Sequence, residues 1–511
     1  MRAVRNGSEA WRILALALTL FLAACGGSGG GGGGAPAPAA GGGTPAGGGG
    51  GGGGGGSTPV QGWNPSVRIS NLRDNSTEMP ALSVALTNPG VGFVAWTENA
   101  FGTNCARTWV NRYAAGVWGT PIQTGIAQAV SPMVAANANG DAVLVWIENA
   151  FTPASCAPAA STPGVWASRY SAASNAWTAP VRISVVPPPG STVFVGSPSV
   201  VIDAAGRATV VWLHNPTTTL PTVVWSRFDG TSWSAPAALS DGTRGVAEPV
   251  IAQDGSGNVL VLWQQQTNLF NGGLPNGGPM LPNTWFARYT AGSGIWSAPV
   301  KLSNLDVTGT GTDTTTHARI AANASGNAVA VWSEVRSNVG SIVSARYSAL
   351  SGTWTAPVLI ENNAQTADRP EVAIDVNGNA QAVWTQKIDA SETNASGYTA
   401  RFTAAAGTWG APLLFEQSTE SAFAPLVGMD NTGRALIAWE QNAAAGIFAI
   451  PIHAVHYSPA SGLGTQMDFA GNSVVLAVNG GGTGLLASDV PSIEPSPIFL
   501  GISIRASIFL P

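Results

Sequence analysis

The chain has 511 residues, 45% hydrophobic and 10% charged, with 27 Asp+Glu against 22 Lys+Arg and a formal net charge of −5. That apolar content excludes a disordered chain, and the acidic balance excludes the basic footprint that nucleic acid requires, so no nucleic-acid partner is expected. Gly (65 residues) and Trp (19) are the unusual counts, and the positions at which they recur define the architecture.

Arg2, Arg5 and Arg12 precede a 12-residue, largely apolar run from Ile13 to Ala24, too short to span a bilayer as a helix but suited to the core of a signal peptide. The run ends in Leu22-Ala23-Ala24-Cys25-Gly26, which resembles the bacterial lipobox. The resemblance implies that residues 1–24 are removed and that Cys25 is acylated. Because Gly26 rather than Asp follows, it also implies an outer-membrane lipoprotein, periplasmic or surface-facing. Several acyl chains hold a protein far more firmly than one, so contact with the membrane is expected through the lipid alone. Residues 25–59 then form a tether, with 21 Gly between positions 26 and 56 and an end-to-end distance on the order of 30 Å for so Gly-rich a coil. Beyond Cys25 only Cys105 and Cys156 remain. An even pair in an exported chain reads as a disulfide.

From about residue 60 the chain repeats. Gly and Trp recur six positions apart at Gly90/Trp96, Gly140/Trp146, Gly206/Trp212, Gly257/Trp263, Gly326/Trp332, Gly378/Trp384 and Gly433/Trp439, with Asn or Asp three residues before the Gly in all but the first copy. Asx followed by Gly at this spacing closes a tight turn between antiparallel strands. A short apolar strand, usually opened by Pro, precedes each turn and an alternating strand follows it. A third strand carries Arg followed by an aromatic, as in Arg169-Tyr170 and Arg346-Tyr347, and a fourth starts at a second Trp, as at Trp177 and Trp354. Four strands per repeat of about 57 residues match a β-propeller blade.

No fourth-strand Trp follows the seventh third strand, whereas Trp63-Asn-Pro-Ser-Val-Arg-Ile-Ser70 is a fourth strand without a blade before it. The expected fold is therefore all-β: a seven-bladed propeller over 60–461 whose N-terminal strand closes the last blade. Residues 462–511 are a degenerate repeat or extension in which Asp468–Gly471 reads as a decayed turn and Ser473–Leu476 as a second strand. Eight blades are the alternative.

The hairpin between third and fourth strands, such as Ser351-Gly352-Thr353-Trp354, lies where sialidase-type propellers carry their Asp-box, and the repeat is similar to those bacterial propellers at a distance. The Asp of that box is absent, and the six Tyr all fall on third strands, which leaves none at a unique site for the Tyr nucleophile of sialidase chemistry. The expected function is a non-enzymatic, lipid-anchored binding or scaffold module of the cell envelope, with a protein or polysaccharide as partner. The alternative is a sialidase-like glycoside hydrolase or polysaccharide lyase. No catalytic residue, metal site or cofactor is assigned.

Uniform turns mark one face of the propeller and variable loops the other, so the variable face is the expected working surface. Two residues after each second-strand Trp stands Glu98, Glu148, His214, Gln265, Glu334, Gln386 or Gln441. These bond either a ligand or the strand ends around them. Glu248, His317 and Arg369 precede first strands and are expected at the channel mouth. Cys105 and Cys156 lie nine and ten residues beyond equivalent Trp, so their disulfide would pin two loops of this rim.

Overall fold

The structure is a computed structural model, and it describes residues 62–511 apart from 71–80, 100–104, 125–127, 149–162, 188–192, 217–219, 267–281, 304, 306–312, 363, 389–393, 417, 443–450 and 496–497. The expected signal segment (1–24), Cys25 and the expected tether (25–59) lie outside the described residues.

The local unit forms as its residues dictate. Asp203 Oδ1 accepts the backbone N–H groups of Ala205 (3.0 Å) and Arg207 (2.8 Å), and Asp254 does the same for Ser256 and Asn258, both at 2.9 Å. Gly206 and Gly257 take the left-handed φ (76° and 79°) that completes each turn. Asn137, Asn323, Asp375 and Asp430 repeat the arrangement, and Thr87 stands in for them through its hydroxyl.

The same device appears once more at Asn479, whose Oδ1 accepts from Gly481 and Thr483 at 3.0 Å, with Gly482 at φ 88°. This eighth turn corrects the expected count: the described residues form eight antiparallel sheets, one per blade, not seven. Ser473–Val478 is therefore a first strand rather than a second, followed by Gly484–Pro495 and Ile498–Leu510. Asp468 belongs instead to the outer strand of blade 7, Met467–Phe469.

The N-terminal latch exists, but it closes blade 8. Gly62 and Trp63 pair with Leu510 and Phe509, and Val67 and Arg68 pair with Ala506 and Arg505. Blade 7 has its own fourth strand, in which Leu463 lies opposite Tyr457 just as Trp409 lies opposite Phe402 in blade 6. Fourth strands are generally split by Pro, as between Ala176–Trp177 and Val181–Arg182. An edge strand tolerates the missing N–H, and the split blunts the edge.

The core is a ring of interfaces. Eight apolar clusters each span two adjacent blades, including one that joins Val475, Leu485 and Ile504 of blade 8 to Leu82, Val84 and Trp96 of blade 1. All seven second-strand Trp are fully buried there. The Arg of the third strand stacks on the aromatic of the next blade: Arg169 over Phe228 at 3.6 Å, Arg346 over Phe402 at 4.3 Å and Arg227 over Tyr289 at 4.9 Å. Such cation–π contacts contribute about 1–2 kcal/mol each where water is excluded. First strands touch their neighbours all the way round, blade 8 meeting blade 1, and the side chain of Asn479 closes the ring by donating to Thr87 O at 2.9 Å.

Candidate functional site

A buried indole needs an acceptor for its N–H. Trp96 donates to Glu98 (2.9 Å), Trp263 to Gln265 (2.8 Å), Trp332 to Glu334 (3.4 Å), Trp384 to Gln386 (2.9 Å) and Trp439 to Gln441 (2.9 Å). Residues two apart share a strand face, which is why the recurring polar position lies two beyond the Trp. Gln386 and Gln441 also donate to the backbone carbonyls of Gln365 and Glu420. Six of these seven polar residues are buried, and His214 is half-buried. Burial raises the Glu148 carboxyl above its ordinary value and lowers the His214 imidazole. The structure thus gives five of these side chains a role inside the blade.

Cys105 is buried immediately before the third strand of blade 1, Ala106–Ala114, and Cys156 lies outside the described residues. Among the described residues, no three His, Cys, Asp or Glu side chains are grouped to hold a metal ion.

The other rim residues share one backbone device. In blades 2–7 the pairing of first and second strands slips at a β-bulge, for example between Val130 and Met133 and between Thr316 and Arg319. The first bulged residue is Ser131, Ser197, Glu248, His317, Arg369 or Ala424, with φ between 41° and 56°. A non-glycine residue in this left-handed region costs about 1–2 kcal/mol, and Pro follows in every copy except His317, where it is Ala318. Among the described residues, blades 1 and 8 show no such slip, Leu82 pairing directly with Trp96 and Val474 with Ser488. The bulge sits at the end of the innermost strand that the variable connections enter, so its residues ring the channel mouth. Glu248, His317 and Arg369 occupy equivalent places in three consecutive blades, 4 to 6.

Two of those blades bring further charges together. His317 Nδ1 lies 2.9 Å from Asp368 Oδ1 of the next blade, and the same oxygen accepts the Ser333 hydroxyl at 2.7 Å. Two residues beyond His317 and three beyond Asp368, Arg319 Nε donates to Glu371 Oε1 at 2.6 Å. Arg369 Nε is 3.9 Å from Asp368 Oδ2. The five side chains of these ion pairs keep between 17% and 39% exposure, so all of them remain in part open to solvent. Burial pushes the Asp368 carboxyl up, but the hydrogen bond and charge of His317, the Ser333 hydroxyl and the Arg369 N–H outweigh it and hold the group at about 2. The balance reverses at Glu371, where burial dominates the attraction of Arg319 and raises the carboxyl.

Sequence reasoning named His317, Arg369 and Glu248 but missed Arg319, Asp368, Glu371 and Ser333. The available signal was a run of charged residues in first strands that elsewhere hold Met133, Ser199, Val250 or Leu426.

Fold and site together define an eight-bladed β-propeller with, among the described residues, a charged sector at the bulge end of blades 5 and 6. No protein-family model and no curated protein matches the sequence. Among solved structures, the chain is similar to a protein of unknown function from Dyadobacter fermentans, at 11% identity over 62% of this chain and 95% of that chain, with a TM-score of 0.41. A PL25 ulvan lyase bound to its saccharide gives 10% identity over 82% and 90%, with a TM-score of 0.43. A leech intramolecular trans-sialidase gives 10% over 87% and 91%, with a TM-score of 0.39.

Proposed function

We propose that this protein is a non-enzymatic binding module of the bacterial outer membrane, lipid-anchored through Cys25, whose ligand is an envelope polysaccharide or the polar surface of an envelope protein. The ligand docks at the mouth of the channel against blades 4 to 6. The observation that carries this reading is the convergence of His317, Arg319, Asp368, Arg369 and Glu371 from two neighbouring innermost strands. Each group already has a partner, so the sector presents fixed donors and acceptors in a preformed arrangement.

Calorimetric titration of acidic and neutral envelope polysaccharides, followed by pull-down of envelope proteins, tests the reading. We expect saturable binding that Arg369→Ala weakens at least tenfold, with no new reducing ends or unsaturated products after prolonged incubation. Turnover that is lost in Arg369→Ala would replace the binding role with hydrolase or lyase chemistry. Anchoring is tested separately: Cys25→Ser should move the protein from the detergent phase to the aqueous phase. The Cys105–Cys156 disulfide, which would hold two loops of blades 1 and 2, is expected as one cross-linked peptide in non-reducing mapping.

A further inference from the structure

Blade 3 departs from the other five bulged blades at two positions. The residue before its bulge is Gly196, where each of the others carries a side chain, and three residues before the bulge stands Phe194, where none of the others has an aromatic. The two departures fit together. A Cβ on Gly196 would lie 2.9 Å from Cε1 and 3.3 Å from Cζ of Phe194, so the ring rests in part on the bare backbone of residue 196, a seat that only glycine leaves open. Val193 and Val195 pack into the cluster shared by blades 2 and 3, and alternation turns Phe194 and Gly196 to the opposite side of the strand, towards blade 4.

The rest of the ring is open. Phe194 is 56% exposed, and among the described residues it is the only aromatic side chain left more than half exposed. Rings of this size are ordinarily buried, where they supply much of the packing. Phe194 stands instead on an innermost strand at the bulge end, beside the channel mouth.

The wall facing it belongs to the first strand of blade 4. Val246 packs in the cluster that blades 3 and 4 share, and the counterpart of Phe194 three residues before that bulge is Gly245, so no side chain at that position covers the ring. Arg244 and Glu248, each half-buried, flank residues 245–247. Neither makes a hydrogen bond or ion pair among the described residues, in contrast to the paired charges of blades 5 and 6. Gln264, opposite Ala247 in the ladder and 3% exposed, likewise leaves its Nε2 without a partner. Polar groups shielded from water are normally paired, so these unpaired groups beside one open ring suit a ligand that brings its own donors and acceptors.

We infer that Phe194 is a stacking platform for a pyranose ring, with Arg244 and Glu248 bonding the hydroxyls at its edge. A pyranose presents a C–H face and a hydroxyl rim together, which matches one apolar ring bordered by a donor and an acceptor, whereas a protein partner would need a contiguous apolar core. The inference rests on docking at the channel mouth and makes the ligand a saccharide. Saturation-transfer NMR on the full chain in detergent, with hexamers of glucose, mannose, galactose and glucuronic acid as probes, tests it. At least one hexamer should bind, with saturation strongest on the C–H protons of one ring face. Phe194→Ala should weaken that binding about tenfold with unchanged thermal unfolding, and Phe194→Tyr should retain it. Gly196→Ala, which keeps the ring but displaces it, should weaken binding as much as Phe194→Ala. Binding that Arg369→Ala weakens and Phe194→Ala does not would overturn the platform and leave the channel mouth standing, and binding that neither variant weakens would overturn both. Failure of every hexamer to bind, or an envelope protein whose binding is the one that Phe194→Ala weakens, would overturn the saccharide.

Discussion

The two ends of the same innermost strands are built on opposite plans. At the turn end, one side chain in each of eight blades holds the same backbone geometry, and the chemistry hardly varies between Asn, Asp and Thr. At the bulge end, six blades repeat an unusual backbone in which the side chain runs from Ser and Ala to Glu, His and Arg. Where the side chain makes the backbone, it is confined to residues that can accept the same backbone N–H groups. Where the strand pairing makes the backbone, the side chain is free to acquire a task, and the left-handed φ is a standing cost that Gly would avoid.

The largest test removes what both ends share. A variant lacking residues 62–70 loses the latch and Trp63, which packs edge-on against Phe469 and Phe509. We expect a loss of about 4 kcal/mol or more and aggregation through the opened edge, read by thermal unfolding and light scattering. A variant that remains monomeric and melts like the wild type would show that the ring closes without the latch.

At the turn end, Asp203 accepts two backbone N–H groups and pairs with Arg207 at 2.7 Å and with the buried Arg227 at 3.5 Å. Asp203→Ala should cost about 2–4 kcal/mol by denaturant unfolding while ligand affinity stays unchanged. An equal loss of affinity would mean that the two ends are not separable.

At the bulge end the expectation reverses. Ser131→Gly and Ala424→Gly should raise stability by about 0.5–1 kcal/mol, the relief of left-handed strain exceeding the entropy that Gly adds to the unfolded chain. His317→Gly should leave stability within about 1 kcal/mol and abolish binding, because it keeps the bulge and removes the side chain. If His317→Gly unfolds the protein, the imidazole is part of the frame.

The smallest effect is titrational. Asp368 is held at about 2 in the folded protein, below its ordinary value of 3.8. Its contribution to stability is therefore complete above about pH 4 and is lost as the pH falls from 4 towards 2. Asp368→Asn should flatten the stability profile in that window, and His317→Ala should flatten part of it, as followed by urea midpoints across pH.

Much of the molecule was written in its repeats. Seven blades, the kind of residue at each strand position and the latch are legible, because turn closure and blade packing demand the same residue at the same place each time. The eighth blade was legible only as the alternative, a degenerate repeat over 462–511, because Ser488 stands where the Trp recurs and because its turn, Asn479–Gly482, lies within a run of Gly. Leu463 likewise hides the fourth strand of blade 7. For the candidate site, the sequence named three residues that the structure places at the bulge position, Glu248, His317 and Arg369, and it left open whether the polar residue after each Trp serves a ligand or the blade.

What the sequence alone determined is the spacing of Gly, Asx, Trp and Arg, and with it a closed ring of four-stranded blades, because hydrogen-bond closure and period-two alternation act over a few residues. Tertiary structure alone decided that the ring closes at eight, that the first strands slip into left-handed bulges, and that His317 meets Asp368 and Arg319 meets Glu371 across some fifty residues of chain. Those contacts lie between repeats, and their distances are set by how far one sheet turns against the next, a quantity to which every residue of both blades contributes.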